Sequence, residues 1–151
     1  MRFWSFKKPV MVKDTSKYRA NTFGFYSLNG NSVLQFHDHS RKEDVCRFLQ
    51  CIRRYNPKRR IILVLDNFSS HHAKKVLRKA RKLGIRLVFL PPYSPDLNPI
   101  EFVWKSIKRI ISEAEISSEK GMKKVIKKGF KELSSKGSFA RSWRKKFILN
   151  V

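Results

Sequence analysis

Residues 61–67 read Ile-Ile-Leu-Val-Leu-Asp-Asn, five apolar residues that end in a carboxylate and an amide. An uninterrupted apolar run of this kind is typical of a central strand that is covered on both faces of a sheet. Ligands in open α/β sheets bind at the carboxyl ends of the strands, which is where Asp66 is expected. Asp66 is therefore a candidate for binding a metal ion or a substrate. The alternative is a residue that caps the next helix.

The segment that follows this strand predicts a parallel βαβ unit. Apolar residues recur at helical spacing between residues 73 and 83, and Gly84 then supplies a helix C-terminus. Residues 85–90 form a second apolar run. A strand, a helix and a strand of these lengths are typical of two parallel neighbours in one sheet.

Two more strands are predicted upstream, at residues 18–28 and 32–37. Asn29-Gly30 between them is typical of a two-residue hairpin turn, because both residues tolerate positive φ. Ser40 and Glu43 are spaced as a capping box, which predicts the start of a helix. Apolar spacing predicts three further helices, over residues 100–111, 122–133 and 139–147. We therefore expect one α/β domain with a mixed sheet flanked by helices.

A second carboxylate follows a rigid, proline-rich turn. Residues 91–101 read Pro-Pro-Tyr-Ser-Pro-Asp-Leu-Asn-Pro-Ile-Glu, so Glu101 lies at the start of a predicted helix. The alternative for this segment is structural, with Asn98 as N-cap, Pro99 as first helical residue and Glu101 stabilising the first turn. Two carboxylates presented at a strand end and a helix start suit a divalent metal ion that works on phosphodiesters.

The charge balance indicates that the phosphodiester belongs to DNA or RNA. The 151 residues carry 35 Lys and Arg against 11 Asp and Glu, a formal net charge of +24. This excess is spread along the chain, which favours a nucleic-acid-binding domain over a disordered basic arm. Contacts with phosphates alone predict DNA binding that is largely independent of sequence. The side chains expected to make them lie on the helices that follow the two carboxylates: Lys74, Lys75, Arg78, Lys79, Lys82, Lys105, Lys108 and Arg109.

The remaining composition excludes several other classes of protein. Cys46 and Cys51 have no second cysteine pair to complete a zinc pattern, so we expect a reduced, intracellular protein. No apolar run approaches the roughly 20 residues that a membrane span needs, so we expect no membrane partner and a cytoplasmic, nucleoid-associated protein. His71 and His72 are able to orient a phosphate or bind a metal ion, with helix-start residues as the alternative.

Together, the two motifs resemble the mariner-type DDE transposases, and most closely their prokaryotic insertion-sequence branch. The resemblance rests on Leu-Val-Leu-Asp-Asn at residues 63–67 with His71, and on residues 89–105 around Tyr-Ser-Pro-Asp-Leu-Asn-Pro-Ile-Glu. There are 34 residues between Asp66 and Glu101, which is the spacing that this branch uses between its second and third catalytic acids.

This resemblance implies an RNase H-like fold and cut-and-paste movement of DNA, with transposon ends and target DNA as partners. It implies that Asp66 is the second catalytic acid and Glu101 the third. Three acids in the family hold two Mg²⁺ or Mn²⁺ ions, of which one activates water or a DNA 3′-hydroxyl and the other stabilises the leaving oxygen. Asp66 and Glu101 are therefore the expected catalytic and metal-binding residues.

The N-terminal end departs from the family pattern. The family's first acid lies on the first strand, upstream of a segment like Arg2-Phe3-Trp4-Ser5-Phe6, and this chain starts at about that segment. We therefore expect residues 1–151 to form an N-terminally truncated catalytic domain without the first strand and its Asp. Neither Asp14 nor Asp38 fits the first-acid motif. Such a domain is expected to expose a strand edge, and to form a homodimer or to pair with a separate N-terminal transposase fragment.

Three functions remain open from the sequence. The leading one is the catalytic-domain portion of a transposase, which cleaves and transfers DNA strands with a metal ion. The second is a catalytically inactive DNA-binding remnant or regulator of a full-length transposase, which the missing first acid favours and the retained Asp66 and Glu101 do not. The third is an RNase H-like nuclease of another kind, against which the Pro-Pro-Tyr-Ser-Pro block argues.

Overall fold

The structure is a computed structural model that describes residues 3–6, 10–13, 18–28, 30–67, 69–94, 97–135, 141–142 and 145. For residues 3–6, 10–13 and 69–70 it describes the backbone alone. The elements are, in chain order, β1 (Phe3–Phe6), β2 (Val10–Lys13), β3 (Arg19–Ser27), β4 (Val33–Phe36), α1 (Lys42–Tyr55), β5 (Ile61–Leu65), a 3₁₀ helix (Ser69–His72), α2 (Lys74–Lys82), β6 (Ile85–Phe89), α3 (Ile100–Glu113) and α4 (Glu119–Ser135).

The six strands form one mixed sheet, which is the predicted sheet type, although β1 and β2 were not predicted as strands. The order is β2-β3-β1-β5-β6, and β4 pairs with β3. The predicted apolar strand β5 is parallel to both β1 and β6, whereas β3 is antiparallel to β1, β2 and β4. Leu65, the last residue of β5, pairs with Phe6 on one side and with Phe89 on the other. Asp66 therefore leaves the sheet from a strand that has neighbours on both edges.

The expectation that the sheet lacks a strand between β3 and β5 is wrong, whereas the position of the family's acid-bearing strand upstream of residues 2–6 stays a prediction. β1 lies between β3 and β5, and Phe6 is paired with Phe25 as well as with Leu65. This pairing satisfies N–H and C=O groups that β3 and β5 would otherwise expose, so the expected open edge between them is also wrong. However, residues 3–6 are Phe, Trp, Ser and Phe, so this strand carries no carboxylate. Asp14 lies outside the described residues.

Helices cover the two faces of the sheet in separate layers. Successive strand side chains point to opposite faces, so Phe23 and Phe25 of β3 pack with α1 and α2, while Ala20 and Tyr26 pack with α3 and α4. Each fully buried large apolar side chain stabilises the fold by roughly 1.5–3 kcal/mol. The end of β5 thus lies between two helical layers, and each layer is able to bring residues to it.

The connection between β3 and β4 is longer than the predicted two-residue turn. The ladder ends where Phe25 pairs with Val33, which leaves the seven residues 26–32 between the paired positions. Asn31 instead donates its backbone N–H to Oδ1 of Asn56 at 2.9 Å, and Nδ2 of Asn56 donates back to the carbonyl of Asn31 at 3.0 Å. This pair, 25 residues apart in the chain, overrides the local preference of the turn. Asn29 itself lies outside the described residues.

The start of α1 differs by one residue from the predicted capping box. Arg41 is the N-cap, and its backbone N–H donates to the carboxylate of Asp44 at 3.0 Å. Ser40 instead donates its hydroxyl to Oδ1 of Asn21 at 3.0 Å. Asp44 is also held by His37, whose Nδ1 lies 3.5 Å from its carboxylate. These long-range contacts favour Asp44 over Glu43 as the acidic partner of the helix start.

Gly84 has the role predicted for it at the end of α2. Its φ is +68°, the left-handed conformation that ends helices and that glycine adopts without strain. Within the last predicted helix, residues 141, 142 and 145 are helical, whereas its apolar residues Phe139, Trp143 and Phe147 lie outside the described residues.

Candidate metal and nucleic-acid site

Asp66 and Glu101 line one cavity at the carboxyl edge of the parallel strands. The N–H of Leu90 donates to the carbonyl of Leu65 at 2.8 Å, which keeps the ends of β5 and β6 together just before the cavity. The proline-rich turn then leads into α3, whose first turn carries Glu101. The cavity has a volume of about 160 Å³ and is lined by Asp66, Asn67, Leu90, Pro91, Pro92, Tyr93, Ser94, Asn98 and Glu101.

The backbone around Glu101 is also that of an ordinary helix start. Pro99 has helical backbone angles, and the N–H of Glu101 donates to the carbonyl of Asn98 at 3.1 Å. A carboxylate in this first turn interacts favourably with the helix dipole. The structural role of Glu101 is therefore compatible with its position in the cavity, and the two interpretations do not exclude each other.

His71 holds Asp66 from the opposite helical layer. Its ring is fully buried, and Nδ1 lies 3.1 Å from Oδ1 of Asp66. The same Nδ1 lies 3.2 Å from the backbone carbonyl of Asp66. Because a carbonyl oxygen only accepts, this contact requires the proton on Nδ1. His71 on the 3₁₀ helix therefore donates a hydrogen bond to the backbone of Asp66 and lies within ion-pair distance of its carboxylate.

His72 makes the corresponding contact with the next residue. Its Nε2 is hydrogen-bonded to Oδ1 of Asn67, which also lines the cavity. The ring stacks on Phe89 of β6, with centroids 3.9 Å apart and planes at 17°. Sequence analysis missed these two pairings. The signal for them was the shared spacing, since each histidine follows its partner by five residues.

The donors at the cavity fit a hard divalent cation. Mg²⁺ and Mn²⁺ prefer carboxylate oxygens and retain several waters, and the carboxylate of Asp66 is 30% exposed. Carboxylates that bind metal ions are usually held by neighbouring polar groups, and His71 is such a neighbour of Asp66. Among the described residues, no three His, Cys, Asp or Glu side chains form a metal-ligating cluster. Asp66 and Glu101 are thus two carboxylates that line one cavity, and they are the described residues that would hold such an ion.

Asp38 and the two cysteines lie in other surroundings. Asp38 lines a separate cavity with His37 and Lys123, away from Asp66 and Glu101. Burial raises the pKa of the Cys46 and Cys51 thiols, which keeps them protonated at neutral pH. Neither feature adds a ligand to the candidate metal site.

The predicted phosphate-binding residues form two groups on opposite faces of the sheet. Those on α2 share a layer with α1, whereas those on α3 share a layer with α4. All are exposed except Lys79, which is half-buried. Sequence analysis named the residues but not their separation, because helix periodicity says nothing about which face of a sheet a helix covers.

The α2 group lines a groove against α1, with a volume of about 430 Å³. Five of its eight lining residues are Lys or Arg, against 35 of the 151 residues in the whole chain, so the groove is enriched in positive charge. Its one carboxylate, Glu43, lies 3.6 Å from Lys75. Arg47 and Gln50 were not predicted as phosphate ligands. The groove is lined by Glu43, Cys46, Arg47, Gln50, Lys75, Arg78, Lys79 and Lys82.

Within the described part of the chain, every helix is too short or too polar to cross a bilayer.

The fold is similar to that of transposase catalytic domains. The catalytic domain of Mos1 mariner transposase matches with a TM-score of 0.68 at 17% identity, over 94% of this chain and 82% of that chain. The same domain with raltegravir and Mg matches with a TM-score of 0.69 at 17% identity, over 94% and 83%. The Mos1 strand transfer complex matches with a TM-score of 0.64 at 18% identity, over 94% of this chain but 52% of that chain. These matches confirm the expected RNase H-like α/β fold.

A sequence comparison is more specific than the fold. No curated protein sequence matches the chain. The DDE superfamily endonuclease family, however, matches residues 7–123, a segment that contains both Asp66 and Glu101 and covers more than half of the 151 residues. The chain therefore belongs to the DDE superfamily endonuclease family.

Proposed function

We propose that this chain is the catalytic-domain portion of a DNA transposase of the prokaryotic insertion-sequence type. The observation that carries the proposal is the position of Asp66 and Glu101 on one cavity, at the carboxyl edge of the parallel strands. Family membership and the similarity to Mos1 catalytic domains support it. The chain would act in the cytoplasm, on transposon ends and target DNA in the nucleoid.

Asp66 and Glu101 are the proposed ligands of Mg²⁺ or Mn²⁺. When bound, such ions activate the attacking oxygen and stabilise the leaving oxygen of a phosphodiester. Asp66 and Glu101 supply the oxygen ligands, His71 keeps the Asp66 carboxylate in place, and His72 orients Asn67 beside it. Mos1 catalytic domain structures that contain Mn or Mg support this choice of ions.

A third carboxylate is proposed to come from a second polypeptide. Chemistry with two metal ions on a phosphodiester needs ligands on both sides of the reacting phosphate. Two carboxylates hold one metal ion more readily than they hold two metal ions. β1 has no acid, although it lies next to β5. We propose that a separate N-terminal fragment or a second copy of the chain completes the site.

DNA is proposed to contact the two basic groups through its phosphates. The α2 and α3 groups lie on opposite faces of the sheet, and each helix starts close to the cavity edge. Two segments of the DNA backbone, one bound on each face, would therefore leave the cavity region in different directions. Such binding is electrostatic, so affinity is expected to fall with salt by a log–log slope of about 0.9 per phosphate contacted.

Strand cleavage tests the catalytic part of the proposal. The substrate is DNA from both sides of the gene, where transposon ends are expected, incubated with Mn²⁺ and the chain, with and without an upstream fragment that supplies the first acid. We expect nicking to need the fragment and to be lost in Asp66→Asn and Glu101→Gln, while Asp38→Asn retains it. DNA binding without nicking under either condition would instead support an inactive regulator.

Charge-removing variants test the DNA contacts. Lys75, Arg78 and Lys82 of α2 are changed to Gln in one variant, and Lys105, Lys108 and Arg109 of α3 in another. In each variant, the slope of log affinity against log salt concentration is expected to become smaller in magnitude by roughly 2–3, because each variant loses up to three phosphate contacts. Lys58→Gln, on the loop before β5, is the control and should change the slope by less than about 1. Affinity that is insensitive to salt in the wild-type chain would contradict the proposal.

A further inference from the structure

Tyr93 is the most exposed large side chain beside the cavity. Its relative exposure is 103%, compared with 42% for Phe102 on the adjacent helix α3. Tyr93 also belongs to the lining of the cavity that contains Asp66 and Glu101. An aromatic ring that contacts so little of its own protein contributes little to stability, so its position at this rim calls for another role.

The backbone of Tyr93 has a strained conformation in a turn that two prolines precede. Its φ is +57°, and among the described residues it is the one non-glycine residue with positive φ. A bulky residue in the left-handed region is disfavoured because its Cβ approaches the following carbonyl. Pro91 and Pro92 precede it and lock their own φ angles. The turn therefore restrains the backbone that carries the ring, and binding would order only the two side-chain torsions.

We propose that Tyr93 is a stacking platform for an unpaired nucleobase next to the phosphodiester at the Asp66–Glu101 cavity. This inference rests on the proposed function, since it names a part of the substrate of that same site. Every base has a π-face that stacks on an aromatic ring, so such a platform tolerates any sequence. The stacked ring would hold the sugar-phosphate backbone of an unpaired nucleotide beside the two carboxylates. Contacts with phosphates alone would position this nucleotide less closely.

The charge of the chain selects a nucleobase over a protein partner as the occupant. The chain carries +24, and long-range attraction brings polyanions to this surface before any stacking contact forms. Combination of a basic surface with an exposed aromatic ring is the usual construction of a single-strand binding site. A base stacked on Tyr93 would lie beside the cavity that Tyr93 lines together with Pro91 and Ser94.

Affinity for two DNA probes provides the first test. One probe is a blunt duplex and the other is the same duplex with a three-nucleotide single-stranded overhang, and both are measured by fluorescence anisotropy in Ca²⁺ to prevent cleavage. We expect the full chain to prefer the overhang, and Tyr93→Ala to bind the overhang roughly 5- to 150-fold more weakly with little change for the blunt duplex. Tyr93→Phe should retain the preference, since the ring rather than the hydroxyl carries it.

Tyr55→Ala is the matched control, because Tyr55 is also an exposed aromatic residue but lies at the end of α1, outside the cavity lining. It should bind both probes like the wild-type chain. Tyr93→Gly checks the fold, since glycine removes both the ring and the strain. Its melting temperature should equal or exceed that of the wild-type chain, while its overhang preference is lost.

Photo-crosslinking locates the base directly. An overhang that carries 5-iodouracil should crosslink to the chain at residue 93, as mapped by mass spectrometry, in the wild-type chain and in Tyr93→Phe but not in Tyr93→Ala. Equal affinity of Tyr93→Ala and wild type for the overhang, or a crosslink that persists in Tyr93→Ala, would overturn the inference. Absence of binding to either probe by the wild-type chain would instead count against the proposed function.

Discussion

Nδ1 of His71 lies 3.1 Å from Oδ1 of Asp66, and the imidazole ring is completely buried while the carboxylate is 30% exposed. The buried imidazole thus lies against a carboxylate that reaches the cavity. His71 is on the 3₁₀ helix and Asp66 is at the end of β5, so packing of one element on the other sets the direction of the carboxylate.

His71→Phe is expected to weaken Mn²⁺ binding by about 10- to 100-fold, the usual effect of removing an outer-shell partner of a metal-ligating group. The phenyl ring fills the same buried space but has no N–H for Asp66. His71→Asn keeps a donor and should retain most of the affinity. Isothermal titration with Mn²⁺ measures both, with exposed His39→Phe as the control. Equal affinity in His71→Phe and wild type would mean that Asp66 needs no support from this ring.

His37 is expected to make stability depend on pH. Burial lowers the pKa of His37 and outweighs the attraction of Asp44, while Arg47 lowers the pKa further. The unfolded chain therefore takes up a proton first as the pH falls below the ordinary value of 6.5, so the stability present above that value is lost on acidification. This one group contributes a slope of at most about 1.4 kcal/mol per pH unit. Urea unfolding between pH 7.5 and 5.5 measures the effect.

His37→Asn is the matched variant for this pH dependence. It removes the titrating group, so its free energy of unfolding should fall less on acidification than that of the wild-type chain. His39→Asn, which alters an exposed histidine, should leave the slope unchanged. A slope that is the same in His37→Asn and wild type would show that other groups are responsible.

Arg53→Lys is expected to destabilise the fold by about 2–4 kcal/mol. The guanidinium donates to four backbone carbonyls at the ends of three segments: Leu83 at 2.8 Å, Gly84 at 3.1 Å, Asn56 at 3.0 Å and Arg59 at 2.8 Å. Hydrogen bonds from charged donors contribute about 1.5–3 kcal/mol each, and a single ammonium group does not reach all four acceptors. Chemical denaturation gives the loss. The neighbouring exposed Arg54→Lys should change stability by less than about 0.5 kcal/mol.

Gly24→Ala is expected to destabilise the core by about 1–3 kcal/mol through overpacking. A Cβ at this position would lie 2.4 Å from Cζ2 and 2.6 Å from Cη2 of Trp104, too close for either group to remain in place. Gly129→Ala, where the nearest atom would be 3.4 Å away in a helix, should be neutral or stabilising.

The double variant Gly24→Ala with Trp104→Phe tests the cause of that loss. The smaller ring leaves room for the added methyl group, so the combined destabilisation should be less than the sum of the two single changes. Strictly additive thermal-denaturation results would mean that Gly24 is required for a reason other than its contact with Trp104.

Local patterns predicted the elements that depend on short-range regularity. The apolar run of β5, the helical spacing of α2 and the glycine at residue 84 each carry their signal within a few residues, and each has the predicted structure. The two motifs also predicted the family, because Asp66 and the proline-rich block around Glu101 are chemically specific. The predicted turn before β4 was too short and the predicted start of α1 was wrong by one residue. Asn31 pairs with Asn56 and Ser40 pairs with Asn21, and both partners lie in distant parts of the chain.

The sequence by itself determined the α/β class, the order of the βαβ unit and the two carboxylates, because hydrophobic periodicity and backbone restriction by proline and glycine are properties of contiguous residues. Only the tertiary structure decided that β1 fills the slot beside β5 without bringing an acid, and that the basic residues divide between two faces. It also decided that His71 supports Asp66 and that Tyr93 stands exposed at the rim of their cavity. Strand partners, layer assignment and side-chain burial arise from residues far apart in the chain, which pack together to bury apolar surface and to pair their backbone polar groups.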